Sequence, residues 1–404
     1  MSTMLTIRNF IAANGEHFSQ LYDTASSAFP MFYPTAYTTR HLRLGITHAT
    51  QLARLYPIMK VHAWAKPNEI DLEYRLASKS FFSQQEIYSL VEYVITNHKS
   101  KPKKVISKGK RREYLTVAAN YLSWLAGELI RDRNEPDIKK QIVSFNEEIL
   151  SYRGKPGNKG RKDQETLATF LTEPARESLT ELFENPLADA VSLSQMGTAY
   201  RNAAILRSLY ETGARLGEIL GCSLDDFQIS SGGTSAKIRI KRNHDDPVDD
   251  RLKQPVAKTK GRELPISPEL EQMLSAYLKD WRFEVDNVGF EGSDFLFVTH
   301  LRGRRQGRGL QSTALYSCIN TLKKKYHNLE ELHPHLLRHD WNYRFSQEAE
   351  KRGLTQQQAQ AQREILMGWT FGSASAALYN ERHVQEEAHK TALSMLNHTA
   401  RREK

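Results

Sequence analysis

Apolar residues recur at helical spacing along most of this chain, and no other feature of the sequence constrains its fold as strongly. Residues 38–65 follow this period, and a second helix starts at Ser83, where Glu86 three positions on completes a capping box. Stretches typical of strands are short and cover residues 237–241, 263–266 and 294–299. The pattern therefore predicts a mostly α protein with a small antiparallel sheet.

Two polar, basic stretches divide the chain. Residues 99–112 are interrupted by Pro102 and Gly109, which indicates a loop, and an amphipathic helix with apolar residues from Leu115 to Leu129 follows. Residues 153–163, RGKPGNKGRKD, have the composition of a linker. We predict an N-terminal helical segment of unassigned role at residues 1–75, a helical domain at 76–168 and a further domain at 169–404.

The charge of the chain points to a polyanionic partner. Its 404 residues include 57 lysines and arginines against 47 acidic residues, for a net charge of +10. The first basic stretch is either a solvated loop or a segment that contacts phosphates, and the motifs described below favour the second interpretation. The candidate DNA-binding residues there are Lys103, Lys104, Lys108, Lys110, Arg111 and Arg112.

Composition argues against several other classes of protein. No stretch approaches the ~18 consecutive apolar residues of a membrane helix, and the N-terminus MSTMLTIRNF lacks the layout of a signal peptide. Cys222 and Cys318 are too few for a disulfide framework. No cysteine or acidic residue accompanies the histidines near residue 335 at zinc-like spacing. We expect a cytoplasmic protein with no membrane partner and no metal.

The first two of four separated motifs present basic side chains. In residues 211–219, ETGARLGEI, Glu218 follows Arg215 by three positions and can hold its guanidinium, although one such pair is commonly a surface ion pair. Residues 258–265, KTKGRELP, indicate two strands joined by a tight turn at Gly261. Such a turn can place Lys258 or Lys260 in a DNA groove, and a solvated hairpin tip is the alternative.

The other two motifs lie near the C-terminus. In residues 333–339, HPHLLRH, His335 and Arg338 share a helical face, where an imidazole beside a guanidinium can move a proton next to an anion. Trp369 ends the LMGW segment, and Tyr379 follows ten residues later. A single C-terminal tyrosine is commonly a packing residue. Each motif alone is therefore weakly informative.

Taken in order, the motifs resemble the catalytic signature of tyrosine recombinases, the phage integrase family. That signature has an arginine in T-G-x-R-x-x-E, a lysine on a β-turn, H-x-x-R, an L-G-H/W segment and then a tyrosine. The resemblance covers about residues 170–400, with Trp369 at a position where histidine is usual and Tyr379 one residue later than usual. It implies one or more helical N-terminal DNA-binding domains, of which residues 76–168 clamp DNA, followed by an α+β catalytic domain at 169–404.

The resemblance also implies a role for each residue. Arg215 and Arg338 would clamp the scissile phosphate, because guanidinium donors match phosphate oxygens, with Glu218 in support. Tyr379 would be the nucleophile that forms a 3′-phosphotyrosyl intermediate, and Lys258 would protonate the leaving 5′-oxygen. The remaining roles concern three residues: His335 as general base or phosphate donor, Trp369 as an N–H donor, and Lys260 as a DNA contact. No metal and no other cofactor are implied.

The expected partner is double-stranded DNA, and the expected function is site-specific recombination or integration, for instance of a mobile element. Four cleavages on two duplexes imply a homotetramer, assembled through a C-terminal helix with apolar residues from Val384 to Leu396, although that helix could instead dock on its own domain. Tyr210 and Tyr343 are rivals of Tyr379 by residue type only. Alternative functions are a type IB topoisomerase and a DNA-binding relative without catalysis.

Overall fold

A computed structural model describes residues 5–154, 170–188, 190, 192–242, 246, 249–251, 253–255, 260–374, 376, 379, 387–388 and 391–395. The chain divides into two compact units. The first consists of Met1–Arg161 with Asp245–Lys253, and the second of Lys162–His244 with Gln254–Lys404. Helices dominate and the sheets are small and antiparallel, which confirms the predicted fold class.

The first unit begins with a two-stranded hairpin and continues with helices around one core. Strands β1 (Leu5–Ile11) and β2 (His17–Asp23) pair in antiparallel register from Leu5–Asp23 to Ile11–His17. A second, short pair is β3 (Thr96–Asn97) with β4 (Lys104–Val105). The helices are α1 (Phe32–Tyr37), α2 (His48–Ala65), α3 (Leu72–Ala77), α4 (Gln84–Ile95), α5 (Lys108–Leu129) and α6 (Pro136–Ser151).

The N-terminal segment at residues 1–75, which was predicted to be helical, begins with the β1–β2 hairpin. Asn14-Gly15 is a strong turn signal between two strands, and Gly15 adopts a φ of 82°, which a residue without a Cβ reaches at no steric cost. α2 packs against both α4 and α5, and its buried Leu55 and Ile58 belong to the same core as Leu122. The expected boundary at residue 75 therefore falls inside one core.

The first basic stretch is only partly a loop. Ser107 caps α5 by accepting from the Lys110 amide, so the helix starts at Lys108 and carries the later basic residues on its first turns. Lys103, Lys104, Lys108 and Lys110 are exposed. Arg111 differs, because its guanidinium donates twice to the Tyr152 carbonyl at 2.6 and 3.0 Å, and Arg112 reaches the Gly154 carbonyl at 3.5 Å.

The second unit surrounds a long central helix, α8. In chain order its helices are α7 (Glu173–Glu184), α8 (Leu193–Thr212), α9 (Leu216–Leu220), α10 (Pro268–Ala276), α11 (Ser312–Lys325), α12 (Pro334–Lys351) and α13 (Gln356–Met367). α8 packs against α7, α10 and α12, and Ala204, Ile205 and Leu209 are fully buried on it. α8 and α12 together form the support for the candidate site.

A three-stranded antiparallel sheet completes this unit, in the order β5 (Phe227–Gln228), β6 (Lys237–Ile240) and β7 (Arg262–Pro265). The strands expected near residues 237 and 263 are confirmed. On one side of the turn expected at Gly261, β7 pairs with β6, from Lys237–Pro265 to Ile240–Arg262, whereas residues 256–259 on its other side lie outside the described residues. Lys258 lies outside the described residues.

Candidate active site

Glu218 is the carboxylate around which the basic residues of the site are arranged. Its side chain is fully buried, and its Oε1 and Oε2 accept from Arg215 Nη1 at 3.2 Å and Arg262 Nη2 at 2.7 Å. Oε2 also accepts from the Arg215 amide at 2.8 Å, because Glu218 is the third residue of α9 and Arg215 precedes its first turn. A buried carboxylate stays charged at low cost only when it is paired and hydrogen-bonded in this way. The pair is therefore not the surface ion pair considered from sequence.

The C-terminal end of α13 is a second anchor, because its last carbonyls lack partners within the helix. Arg262 Nε donates to the Leu366 carbonyl at 2.6 Å, Arg338 Nη2 donates to the Met367 carbonyl at 3.3 Å, and the Lys260 amide donates to the Gly368 carbonyl at 3.2 Å. Guanidinium groups suit this position because the helix dipole places partial negative charge there. These bonds fix the LMGW segment beside both arginines.

Arg338 is almost fully enclosed, with 1% of its surface exposed. Its Nη1 donates to the Gly213 carbonyl at 2.7 Å, and its guanidinium carbon lies 5.2 Å from the Trp369 ring centroid. Burial, and next the neighbouring Arg215 charge, lower the pKa of Arg338 to about 9, so it remains a cation at neutral pH. Gly213 ends α8 with a φ of 63°, and a Cβ there would lie 2.7 Å from Trp341. Only glycine fits at that position.

Tyr379 lies next to α12 and to the LMGW segment. Its hydroxyl is 2.6 Å from His339 Nδ1, and its ring stacks on Trp369 with centroids 5.8 Å apart and planes at 12°. The His339 ring in turn meets His335 edge to face, with centroids 4.4 Å apart. His335 is exposed, whereas Tyr379 and His339 are half-buried. The hydroxyl therefore bonds His339, whereas the residue expected from the sequence as its base was His335.

A further buried cation supports the tyrosine ring. The guanidinium carbon of Arg363, on α13, lies 5.8 Å from the Tyr379 ring centroid and 5.1 Å from that of Phe345. Its Nη2 donates to Ser346 Oγ at 2.6 Å, and burial lowers the pKa of Arg363 to about 10. A cation at this distance from the ring would stabilise a negative charge on the phenol oxygen.

The structure thus brings most of the predicted catalytic residues together: Arg215, Glu218, His335, Arg338, Trp369 and Tyr379. Lys260 is exposed beside them and is tied to the site through its backbone. Lys258 is not among the described residues, and the DNA-binding candidates at 103–112 belong to the first unit. For these residues the sequence interpretation stays a prediction.

Sequence reasoning missed Arg262, His339 and Arg363. Arg262 and His339 lie within the motifs KTKGRELP and HPHLLRH. Their position next to predicted site residues could have indicated that they belong to the site. The sequence signal for Arg363 was weaker, because α13 has the composition of a polar helix and nothing in its pattern marks this arginine as buried.

Two general properties of the described residues bear on the site. They contain no cluster of three histidine, cysteine or acidic side chains placed to hold a metal ion. No helix within the described ranges is long and apolar enough to cross a membrane.

Comparison with known proteins is consistent with this geometry. Residues 184–357 match the model of the phage integrase family. Tyrosine recombinase XerC of Bacillus pumilus (strain SAFR-032) is 25% identical over 181 residues, which cover 44% of this chain and 52% of the relative. Tyrosine recombinase XerD of Halalkalibacterium halodurans is 28% identical over 141 residues, 35% of this chain and 39% of the relative. The chain thus spans about half or less of the length of these relatives.

A solved structure shares the fold. It is the XerH site-specific recombinase bound to a palindromic difH substrate in a post-cleavage complex, with a TM-score of 0.50 and 16% identity over 84% of this chain and 79% of that one. Residues 184–357, with the motifs around them, are thus similar to the phage integrase family of tyrosine recombinases.

Proposed function

We propose that this protein cleaves and rejoins DNA at specific sites, with Tyr379 as the nucleophile. The observation that carries the proposal is the position of the Tyr379 hydroxyl. It is hydrogen-bonded to a histidine, and its ring stacks on the Trp369 ring that lies against Arg338. The matched relatives XerC and XerD are tyrosine recombinases by name, which supports the same reaction class for this chain.

The arginines suit phosphate chemistry. Attack on a phosphodiester increases the charge on its non-bridging oxygens, and fixed guanidinium donors stabilise that charge without reorganising during the reaction. Arg338 is held by two backbone carbonyls and Arg215 by Glu218, so neither must be ordered when DNA binds. The Arg215 side chain is 33% exposed, whereas Arg338 is buried and its guanidinium carbon lies 5.2 Å from the Trp369 ring centroid.

Tyrosine suits the nucleophile because its ordinary pKa is ~10. The phenolate is then a good leaving group when a DNA hydroxyl attacks the intermediate in the rejoining step. In cleavage the Tyr379 oxygen bonds to phosphorus while the bond from phosphorus to the 5′-oxygen breaks. The protein becomes linked to a DNA 3′-phosphate, and the other DNA end keeps a free 5′-hydroxyl.

The test is covalent capture of DNA. The protein is incubated with sheared genomic DNA of its source organism, denatured in detergent, and the DNA that stays attached is sequenced. We expect a recurrent site. A duplex nicked next to that site should then accumulate an adduct that retains a label on the 5′ end of the cleaved strand. Absence of any adduct would contradict the function. Attachment without sequence preference, with relaxation of supercoils, would indicate a topoisomerase.

We propose that Lys258 protonates the departing 5′-oxygen. A Lys258→Ala variant should cleave normal DNA at least about 100-fold more slowly, the usual range for losing a general acid. With sulphur in place of the 5′-oxygen the deficit should fall below about tenfold, because a thiol, with an ordinary pKa of ~8.5, leaves without a proton. Single-turnover cleavage of both substrates measures this.

Lys260→Ala is the matched control for this variant. It removes an exposed lysine two residues away, so the ratio between the two substrates should stay at the wild-type value. Equal deficits of Lys258→Ala on oxygen and sulphur substrates would assign the acid to another group.

We propose that the exposed lysines Lys103, Lys104, Lys108 and Lys110 contact DNA phosphates. Each phosphate contact that is lost should lower the slope of log affinity against log salt by ~0.9. The double variant Lys103→Gln/Lys104→Gln should therefore show a slope smaller by about 2. The control variant Lys139→Gln/Lys140→Gln removes the same charge from exposed positions on α6. An equal decrease in its slope would show that the effect comes from net charge alone and would contradict the proposed contacts.

We propose integration or excision of a mobile element as the biological role, by a homotetramer on two duplexes. The requirement for four cleavages supports the tetramer. The C-terminal segment proposed to connect subunits is described only in part, and its Glu387, Ala388 and Thr391 line a cavity of about 410 Å³ together with Ala349 and Ala359 of the same chain. Docking on its own domain thus remains the alternative for this segment.

A further inference from the structure

The hydroxyl of Tyr379 has a specific partner that the family signature quoted above does not contain. His339 Nδ1 lies 2.6 Å from it, within the range of a hydrogen bond between a phenol and an imidazole. The Tyr379 O–H can donate to this nitrogen when the imidazole carries its own proton on Nε2. In that tautomer the ring holds a lone pair directed at the proton that must leave before or during nucleophilic attack.

We propose that His339, rather than His335, accepts the proton of Tyr379 when this residue attacks DNA. The proposal rests on the proposed function. In the forward step the Tyr379 O–H proton passes to His339 Nδ1, the phenol oxygen bonds to phosphorus, and the bond to the 5′-oxygen breaks. That oxygen takes a proton from the general acid. In rejoining, the imidazolium returns its proton to the departing phenol oxygen.

The surroundings of His339 suit a base that gains and loses charge. On its own helix it meets His335, with ring centroids 4.4 Å apart, and it follows Arg338 in the chain. From the C-terminal segment it meets Tyr379, whose ring lies over Arg363 of α13. The Arg363 cation favours the phenolate and so helps the proton to move from Tyr379 to His339. His339 is half-buried, so water can hydrate the imidazolium in part.

His335 is placed for another task. It is exposed on the first turn of α12, on the same helical face as Arg338. An exposed imidazole on the face of a phosphate-binding arginine can donate to a phosphate oxygen. The two histidines would then divide two roles that the sequence assigned to one residue.

The test compares His339→Asn with His335→Asn on a nicked duplex carrying the captured site. Asparagine places an acceptor oxygen near the position of Nδ1 but cannot take up a proton, so the hydrogen bond is retained and the basicity is lost. We expect single-turnover cleavage by His339→Asn to be about 100-fold slower, the usual contribution of a general base. The wild-type rate should fall as pH drops through the pKa of the base, and His339→Asn should lose this limb of the profile. His335→Asn should keep it.

A second variant covers the case in which His339→Asn does not fold. His339→Ala removes the imidazole, and added imidazole should restore cleavage in proportion to its unprotonated fraction, which a purely structural role would not produce. The sulphur-substituted substrate separates base from acid, because it should not rescue His339→Asn. Wild-type rate and pH profile in His339→Asn, or no rescue of His339→Ala by imidazole, would overturn the proposal. If the wild-type protein forms no adduct, the proposed function itself fails.

Discussion

A Tyr379→Phe variant is expected to form no covalent adduct with DNA at any time of incubation, while its DNA affinity stays within about twofold of the wild type. Phenylalanine lacks the oxygen that must bond to phosphorus, so the covalent bond cannot form at residue 379. The ring contacts with Trp369 and Arg363 need only the aromatic face, so they persist in the variant. Gel separation under denaturing conditions measures the adduct, and a binding titration measures affinity.

Two other tyrosines of the second unit provide matched controls. Tyr343 stacks on Phe170 with centroids 4.2 Å apart and accepts from Gln347 Nε2 at 2.9 Å. Tyr210 lies against Arg344, whose guanidinium carbon is 4.0 Å from its ring centroid. Both contacts indicate packing roles. Tyr343→Phe and Tyr210→Phe should therefore form adducts at nearly the wild-type rate, and loss of the adduct in either one would move the nucleophile away from Tyr379.

An Arg338→Lys variant is expected to cleave DNA about 100-fold to 1000-fold more slowly. Removing one preorganised donor to a developing oxyanion costs ~3–4 kcal/mol in comparable sites. Lysine keeps the charge but has a single nitrogen, so it cannot hold the Gly213 and Met367 carbonyls and also present a planar pair of donors to phosphate. Single-turnover rates on the nicked substrate give the effect.

Arg338→Lys is also expected to lower the stability of the fold, so the effect on cleavage rate must be measured separately from the effect on stability. The midpoint of urea unfolding should fall for Arg338→Lys, because two backbone carbonyls lose their donors. Arg215→Lys is the informative companion, since Arg215 is partly exposed and bonds mainly to Glu218. It should slow cleavage strongly with a smaller change in unfolding. A loss of less than about threefold in both variants would contradict the phosphate clamp.

The sequence predicted the elements whose local signals agree with their final environment. The capping box of Ser83 and Glu86 is present at the start of α4, and His335 and Arg338 do lie on one helix. The N-terminal hairpin was not predicted, because its turn signal, Asn14-Gly15, is only two residues long and precedes a long stretch with helical spacing.

Other features could not be read from local sequence at all. The burial of Glu218 depends on Arg262, which is 44 residues away in the chain, and the fixing of Arg338 depends on carbonyls at residues 213 and 367. Sequence spacing gave Arg338 and Tyr379 a common role but did not say which histidine meets the phenol, since His335 and His339 differ by one helical turn. Such contacts arise only when distant elements pack together.

The central claim is that Tyr379 forms the bond to DNA, and mapping of the trapped adduct tests it most directly. Trypsin cuts after Arg363 and Arg382, so Tyr379 lies on the peptide 364–382 with no other tyrosine. Tyr343 and Tyr210 fall on the separate peptides 339–344 and 208–215. After nuclease digestion of the adduct, mass spectrometry should find the nucleotide mass on peptide 364–382 alone. A nucleotide on either of the other peptides would contradict the account.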